Sequence, residues 1–210
     1  MEPARFTIVN IGCLSMNKFW GETERVRQAS ATCTLLEGSG RRLLVDPSPH
    51  PDQLAVSLFN TTGLLPEAID SIYVTHHHGD HRYGLGLFSH AKWLMAVDAL
   101  AEWRERAPED AATISRFVPA ENQLPDGITL YSAPGHTHCL HALSMVSVWG
   151  KLIVAGDAVM TPEFLAEEQG YHNSVDFGVA SETIRRIKAD ADVIVPGHGN
   201  IILNRRHARG

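Results

Sequence analysis

Apolar and polar positions follow two different periods along this chain. Short β-branched or apolar runs at Phe6–Ile11, Ala31–Glu37, Leu43–Val45, Ser71–Thr75, Trp93–Val97 and Ile128–Ser132 have the length and composition of strands. Leu143–Trp149 and Leu152–Ala155 read as a strand pair joined at Gly150-Lys151, and Val193–Val195 as a last strand. Three stretches take the helical period instead. Pro47, Pro49 and Pro51 break the run after Asp46, and Asp52 opens a helix with Leu54, Ala55, Leu58 and Phe59 inward and Gly63 as its stop. A second helix spans Ala99–Arg106. A third runs over Asp176–Lys188 with Val179, Ala180, Thr183, Ile184 and Ile187 inward. The polar stretch NKFWGETERVRQAS, residues 17–30, has no regular period and reads as a long loop or flap.

This alternation of strands and helices predicts a layered α/β architecture. No linker, repeat or low-complexity segment divides the chain, so one domain over residues 1–210 is expected. With 44% hydrophobic residues in 210, the chain can bury a substantial core. Its 18 basic and 24 acidic residues give a formal charge of −6, which favours a small-molecule substrate over a broad nucleic-acid or anionic-membrane surface, although a local basic groove for nucleic acid stays open. Cys13, Cys33 and Cys139 stand far apart, without the pairing of a disulfide framework or a thiolate zinc site. The amino-terminal MEPARFTIVNIG has neither the apolar run of a signal peptide nor that of a membrane span, so the expected location is the cytoplasm. Oligomerisation is left open.

The unusual count is 12 histidines, clustered rather than scattered. Four strand ends carry His, Asp or both: Thr75-His76-His77-His78-Gly79-Asp80-His81, then Pro134-Gly135-His136, Gly156-Asp157 and Pro196-Gly197-His198. In a short turn after a strand, the H-x-H-x-D-H alternation lets His76 and His78 face one metal while Asp80 and His81 reach a second. His136 completes the first group, His198 the second, and Asp157 lies between them. Seven ligands divided over two divalent ions leave each a position for a shared water, as a hydrolase requires. Neutral imidazoles and carboxylates favour zinc, with manganese or iron as alternatives. Asp80 is the expected catalytic residue, because its free carboxylate oxygen can orient the bridging hydroxide and pass a proton to the leaving group.

The ordered set THHHGDH, APGHTHC, VAGDA and VPGHG, with LLVDPS upstream, resembles the metallo-β-lactamase superfamily over nearly the whole chain. Within it, LLVDPS, DHRYGLGLF and VIVPGHG resemble the short metallo-β-lactamase domain-containing protein 1 group. The resemblance implies a four-layer αββα sandwich, two facing mixed β-sheets with helices on the outer faces and a dinuclear site at one end. It implies hydrolysis of an ester, thioester, lactone or phosphodiester. Asp157 stands where antibiotic-destroying members often carry a cysteine, and Ala158, Val159 and Met160 follow where lactonases place a tyrosine. Both departures turn the expectation away from those two substrates. The alternatives are a mononuclear iron sulfur-oxygenase of the persulfide dioxygenase kind and a small metal-dependent ribonuclease.

Further residues are expected near the substrate: Trp20 in the flap, Tyr83 after the ligand turn, His138 and His141 after His136, and Tyr171 and His172 in the 160–175 loop. His77 is expected to point away from the metals, and Asp46 to orient a ligating histidine. His50, His90 and His207 are assigned no role.

Overall fold

The computed structural model describes residues 4–204; His207 lies outside them. Among the described residues, eleven strands form two sheets. The first contains β1 (Arg5–Asn10), β2 (Cys33–Gly38), β3 (Arg41–Val45), β4 (Ser71–Tyr73), β5 (Lys92–Met95) and β6 (Phe117–Pro119) in chain order. β1 to β3 are antiparallel, and β3 to β6 are parallel. The second sheet has the order β11 (Ile202–Leu203), β10 (Val193–Pro196), β9 (Gly150–Gly156), β8 (His141–Ser147), β7 (Ile128–Ser132), with only β9 and β10 parallel.

Period-two alternation decides what each sheet buries. Leu36, Leu43, Val45 and Tyr73 of the first sheet meet Leu143, Leu152, Val154, Val193 and Val195 of the second in one apolar layer. Their neighbours Leu35, Leu44 and Ile72 point the other way, onto Leu54 and Leu58 of α1 (Pro51–Thr62) and Leu100 and Trp103 of α2 (Val97–Arg106). On the far side of the second sheet, Ile153 and Ile194 pack with Ile184 and Ile187 of the last long helix, α5 (Phe177–Asp190). Two shorter helices, α3 (Ala111–Ile114) and α4 (Pro162–Ala166), fill connections. The result is the expected αββα order of layers. None of the described helices is long and apolar enough to cross a membrane.

Several local expectations shift. In α1 only Leu54 and Leu58 are buried; Phe59, one helical step round from Leu58, is 54% exposed, and Ala55 is half-buried. Gly63 does end α1, at φ 72°, the left-handed conformation that a side chain resists. The β8–β9 turn is Val148-Trp149, not Gly150-Lys151, since Ser147 pairs with Gly150. The Ser147 hydroxyl accepts from Trp149 N at 3.1 Å, and Asp192 accepts from Lys151 N at 2.8 Å, which holds Gly150 and Lys151 in the strand. Val179 of α5 is half-buried, while Asp176 caps the helix by accepting from Val179 N at 2.9 Å. β6 and β11 were too short to stand out by periodicity, at three and two residues.

β3 and β4 run parallel in one sheet. β7, β9 and β10 run the same way in the other, because β7 is two antiparallel steps from β9. Five strands therefore carry chemistry in the segments after their carboxyl ends: Asp46, His76, His136, Asp157 and His198.

Candidate metal centre

All seven side chains singled out by the strand-end motifs converge. Ligand atoms of His76, His78, His136 and Asp157 lie within 4.8 Å of one another, and those of Asp80, His81 and His198 form a second group on the same criterion. His76, His81, His136, Asp157 and His198 are buried, whereas Asp80 is half-exposed.

Asp157 faces both groups with different oxygens. Its Oδ2 is 3.2 Å from His136 Nε2 and 3.7 Å from His76 Nε2; its Oδ1 is 3.0 Å from His81 Nε2 and 3.2 Å from His198 Nε2. Gly197 permits this position, because a Cβ there would fall on Asp157 Oδ1 and within 2.9 Å of the Gly156 carbonyl carbon.

Asp46 sets two of the rings. Its Oδ2 accepts from His81 Nδ1 at 2.9 Å and from the Thr75 hydroxyl at 2.9 Å, and its Oδ1 accepts from Thr75 N at 2.8 Å. Having spent its proton on Asp46, the Thr75 hydroxyl can only accept from His76 Nδ1, 3.1 Å away. His198 Nδ1 donates to the Ser30 carbonyl at 2.8 Å. In His76, His81 and His198 the Nε2 lone pair is thus left to the interior, the tautomer a ligating imidazole needs.

Those lone pairs meet other acceptors. In its neutral form His81 turns Nε2 toward Asp157 Oδ1 with no hydrogen between them, and both atoms are buried without a hydrogen-bond partner among the described residues. His78 Nδ1 stands 3.0 Å from His76 Nε2 and 2.9 Å from His136 Nε2, and it can donate one proton at most. Facing acceptors at this range repel unless a cation lies among them. Four donors around an ion at 2.0–2.1 Å would sit about 3.3 Å apart, close to the observed spacings. The donor set therefore fits a divalent metal in each group.

The ionisation of the rings divides the two groups. Burial lowers His76 far below the usual histidine range and takes His136 down to about 3, with neighbouring imidazoles adding to the effect. Burial also lowers His78. At His81 and His198 burial acts in the same direction, but the Asp157 carboxylate outweighs it and both are raised. Asp157 is held well below its ordinary value, since His81, His198 and His136 overcome the cost of burial. The second group is thus an environment that favours positive charge. His77 stands outside both groups, half-buried, and burial lowers it to about 4.

The connecting loops hold these ligands in place. The Arg82 guanidinium donates to the His77 carbonyl at 2.9 Å and to Asp110 at 2.7 Å, over the Trp103 ring. Glu102 of α2 accepts from His138 N at 3.0 Å and from Cys139 N at 2.8 Å.

A family model for the metallo-β-lactamase superfamily matches residues 26–198. The chain belongs to the metallo-β-lactamase superfamily. A curated relative, metallo-β-lactamase domain-containing protein 1 of Xenopus laevis, is 31% identical over 179 residues, covering 82% of this chain and 72% of that protein. The mouse protein of the same name is 31% identical over 66% of this chain and 52% of its own length, so the chain spans between about half and three quarters of such relatives. Among solved structures, an N-acyl homoserine lactone hydrolase, with its product N-hexanoyl-L-homoserine at the catalytic metal centre, superposes with TM-score 0.67 at 20% identity. That match covers 94% of this chain and 93% of the hydrolase. At that identity the shared property is the fold. A second solved neighbour, described as hydrolase AbOPH of the β-lactamase superfamily, superposes with TM-score 0.65 at 18% identity over 94% of this chain and 84% of its own.

A cleft of about 330 Å³ opens over the two groups and reaches His78, Asp80, Asp157 and His198. Of the substrate-side candidates, Tyr83, Tyr171 and His172 line it, with Tyr83 stacked on His50 at 4.4 Å. Trp20, His138 and His141 do not. Trp20 donates to Glu163 at 2.9 Å and pins the flap to the first turn of α4. His138 is exposed, on a segment whose backbone Glu102 turns toward α2, and the His141 ring lies against the Cys139 carbonyl and Asp98. Arg25, Arg27 and Gln28 of the flap, with Asn173, also line the cleft and went unrecognised. The available signal was a pair of arginines within the flap of an acidic chain.

Proposed function

We propose that the chain is a dinuclear metal-dependent hydrolase of a small ester, thioester, lactone or phosphodiester. The observation that carries this reading is the division of Asp157, with Oδ2 toward His76 and His136 and Oδ1 toward His81 and His198, each oxygen facing the Nε2 atoms of two histidines. His76, His78 and His136 would hold one divalent ion, and Asp80, His81 and His198 the other, with Asp157 shared. Zinc is favoured by the imidazole and carboxylate donors, with manganese or iron accommodated by the same set. Such a pair supplies a water acidified to a pKa of roughly 7 and polarises the substrate's carbonyl or phosphoryl oxygen.

The chain's own groups do the rest. Asp80 lines the cleft and is half-exposed, so its carboxylate can orient the attacking water, hold its proton and return it to the leaving group. Asp46, through His81 and Thr75, keeps the ring nitrogens directed inward during turnover. A cleft of about 330 Å³ suits a small molecule.

Elemental analysis with a hydrolysis assay tests the reading. The wild type is expected to hold two metals per chain. Asp157→Ala is expected to hold fewer and to lose more than about a hundredfold in turnover, beyond what a partner of a ligand costs. A single iron that Asp157→Ala leaves unchanged overturns the dinuclear site, and thiol-dependent oxygen uptake would then assign an oxygenase.

A further inference from the structure

The cleft wall carries a charge pattern that hydrolysis itself does not use. Its two carboxylates, Asp80 and Asp157, both belong to the metal-ligating groups. The remaining polar side chains of the lining are cationic or uncharged, and those of the rim come from the flap on one side and residues 171–173 on the other. Apart from those two carboxylates, the charged side chains of the lining are Arg25 and Arg27, in a chain of formal charge −6.

The two arginines of this rim differ. Arg27 is committed, pairing with Glu22 and donating to the Leu14 carbonyl at 2.9 Å. Arg25 is exposed and makes no hydrogen bond or ion pair among the described residues. Its backbone is nevertheless held, because Val26 N donates to the Ser15 carbonyl at 2.9 Å, next to the anchored Arg27. Tyr171, which also lines the cleft, donates its hydroxyl to the Met16 carbonyl at 2.7 Å and so ties the far wall to the segment before the flap. A guanidinium fixed at its root and unspent at its head, above a hydrolytic centre, suits an oxyanion that it can grip with two parallel N–H bonds.

We infer that Arg25, with Asn173 and His172 opposite, forms an anion subsite, so that the substrate carries a carboxylate or phosphate group besides its scissile bond. The scissile bond in this inference rests on the hydrolase reading; the subsite does not. Water adds across the acyl–oxygen bond while the anionic group stays unchanged in the subsite.

The test uses the metal-loaded protein and three 4-nitrophenyl esters of similar length: butyrate, hemiglutarate with a free carboxylate, and 3-phosphonopropionate. In the wild type, kcat/KM for at least one anionic ester exceeds that for butyrate by about tenfold, mainly through KM, as expected for a charge-assisted contact. Which anion gains more tells carboxylate from phosphate. Arg25→Ala brings the ratio to about one, Arg25→Lys restores part of it, and about 0.5 M NaCl shrinks it in the wild type. A wild-type ratio at or below one for both anions, or an unchanged ratio in Arg25→Ala, overturns the subsite. If no ester is cleaved with two metals bound, the ester-hydrolase reading fails by itself. Calorimetric titration of glutarate and methylphosphonate then decides the subsite: about tenfold weaker binding in Arg25→Ala supports it, and equal binding overturns it.

Discussion

The floor and the rim of the cleft are built on opposite terms. The floor is seven residues on turns at strand ends, buried except at Asp80 and His78, with ring nitrogens fixed by Asp46, Thr75 and the Ser30 carbonyl. The rim is two loops that hold each other. Tyr171, itself buried, reaches Met16, while Lys18 reaches Gln169 and Trp20 reaches Glu163 through side chains that are half or fully exposed. The floor concentrates unpaired acceptors that call for cations. The rim spreads donors that can be exchanged at low cost. In the proposed reading, chemistry falls on strand ends and selectivity on adjustable loops.

Metal removal should show this contrast most strongly. At free metal about a thousandfold above Kd, binding adds roughly 4 kcal/mol to folding stability. For a chain of this length that corresponds to a fall of about 8–16 °C in unfolding midpoint on chelation. Scanning calorimetry before and after chelation, with zinc re-addition, measures it. A shift under about 2 °C would mean that the acceptors on the floor cost little when left facing one another, and the contrast with the rim would collapse.

A change behind the floor is expected to act next. Asp46→Asn keeps the shape but replaces one carboxylate oxygen by an NH2 group, so His81 and the Thr75 hydroxyl can no longer both donate to a charged acceptor. Metal affinity of the Asp80–His81–His198 group should fall by about 10–100-fold, while the group containing His136 is less affected. Competition titrations against a chromophoric chelator resolve two binding steps. Equal weakening of both steps would show that Asp46 acts through general stability and not through His81.

The same division governs what could be read from residue order. The floor was legible because only a few side-chain types ligate metals, and because strands of short apolar residues announce where they end. His76 through His81 could be placed by chain position alone. The role of Asp46 was also foreseen, though not that His81 would be its partner. Trp20, His138 and His141 were misjudged for a different reason. Whether a loop side chain faces a cleft depends on contacts more than a hundred residues away, such as Trp20 with Glu163, or on a clamp such as Glu102 on His138 N. Periodicity carries no trace of either. Arg25 escaped notice for the same reason, since its neighbour Arg27 has an equivalent place in the pattern and a different fate in the fold.

Trp20 gives the smallest expected effect and the sharpest check on the rim. Its ring is 54% exposed and lies outside the cleft; its indole N–H donates to Glu163, and the Arg27 guanidinium rests 5.5 Å from its ring. Trp20→Ala removes one partly solvated hydrogen bond and modest packing, worth about 1 kcal/mol. The unfolding midpoint should drop by about 2–4 °C and metal content should not change. Because the flap keeps its ties through Tyr171 to Met16 and through Arg27 to the Leu14 carbonyl, kcat/KM on a neutral ester should move by less than about threefold. A tenfold loss of kcat/KM at unchanged metal content would mean that one flap contact governs the position of Arg25 and Gln28 over the cleft. The rim would then be as strictly built as the floor, with selectivity depending on a single anchor.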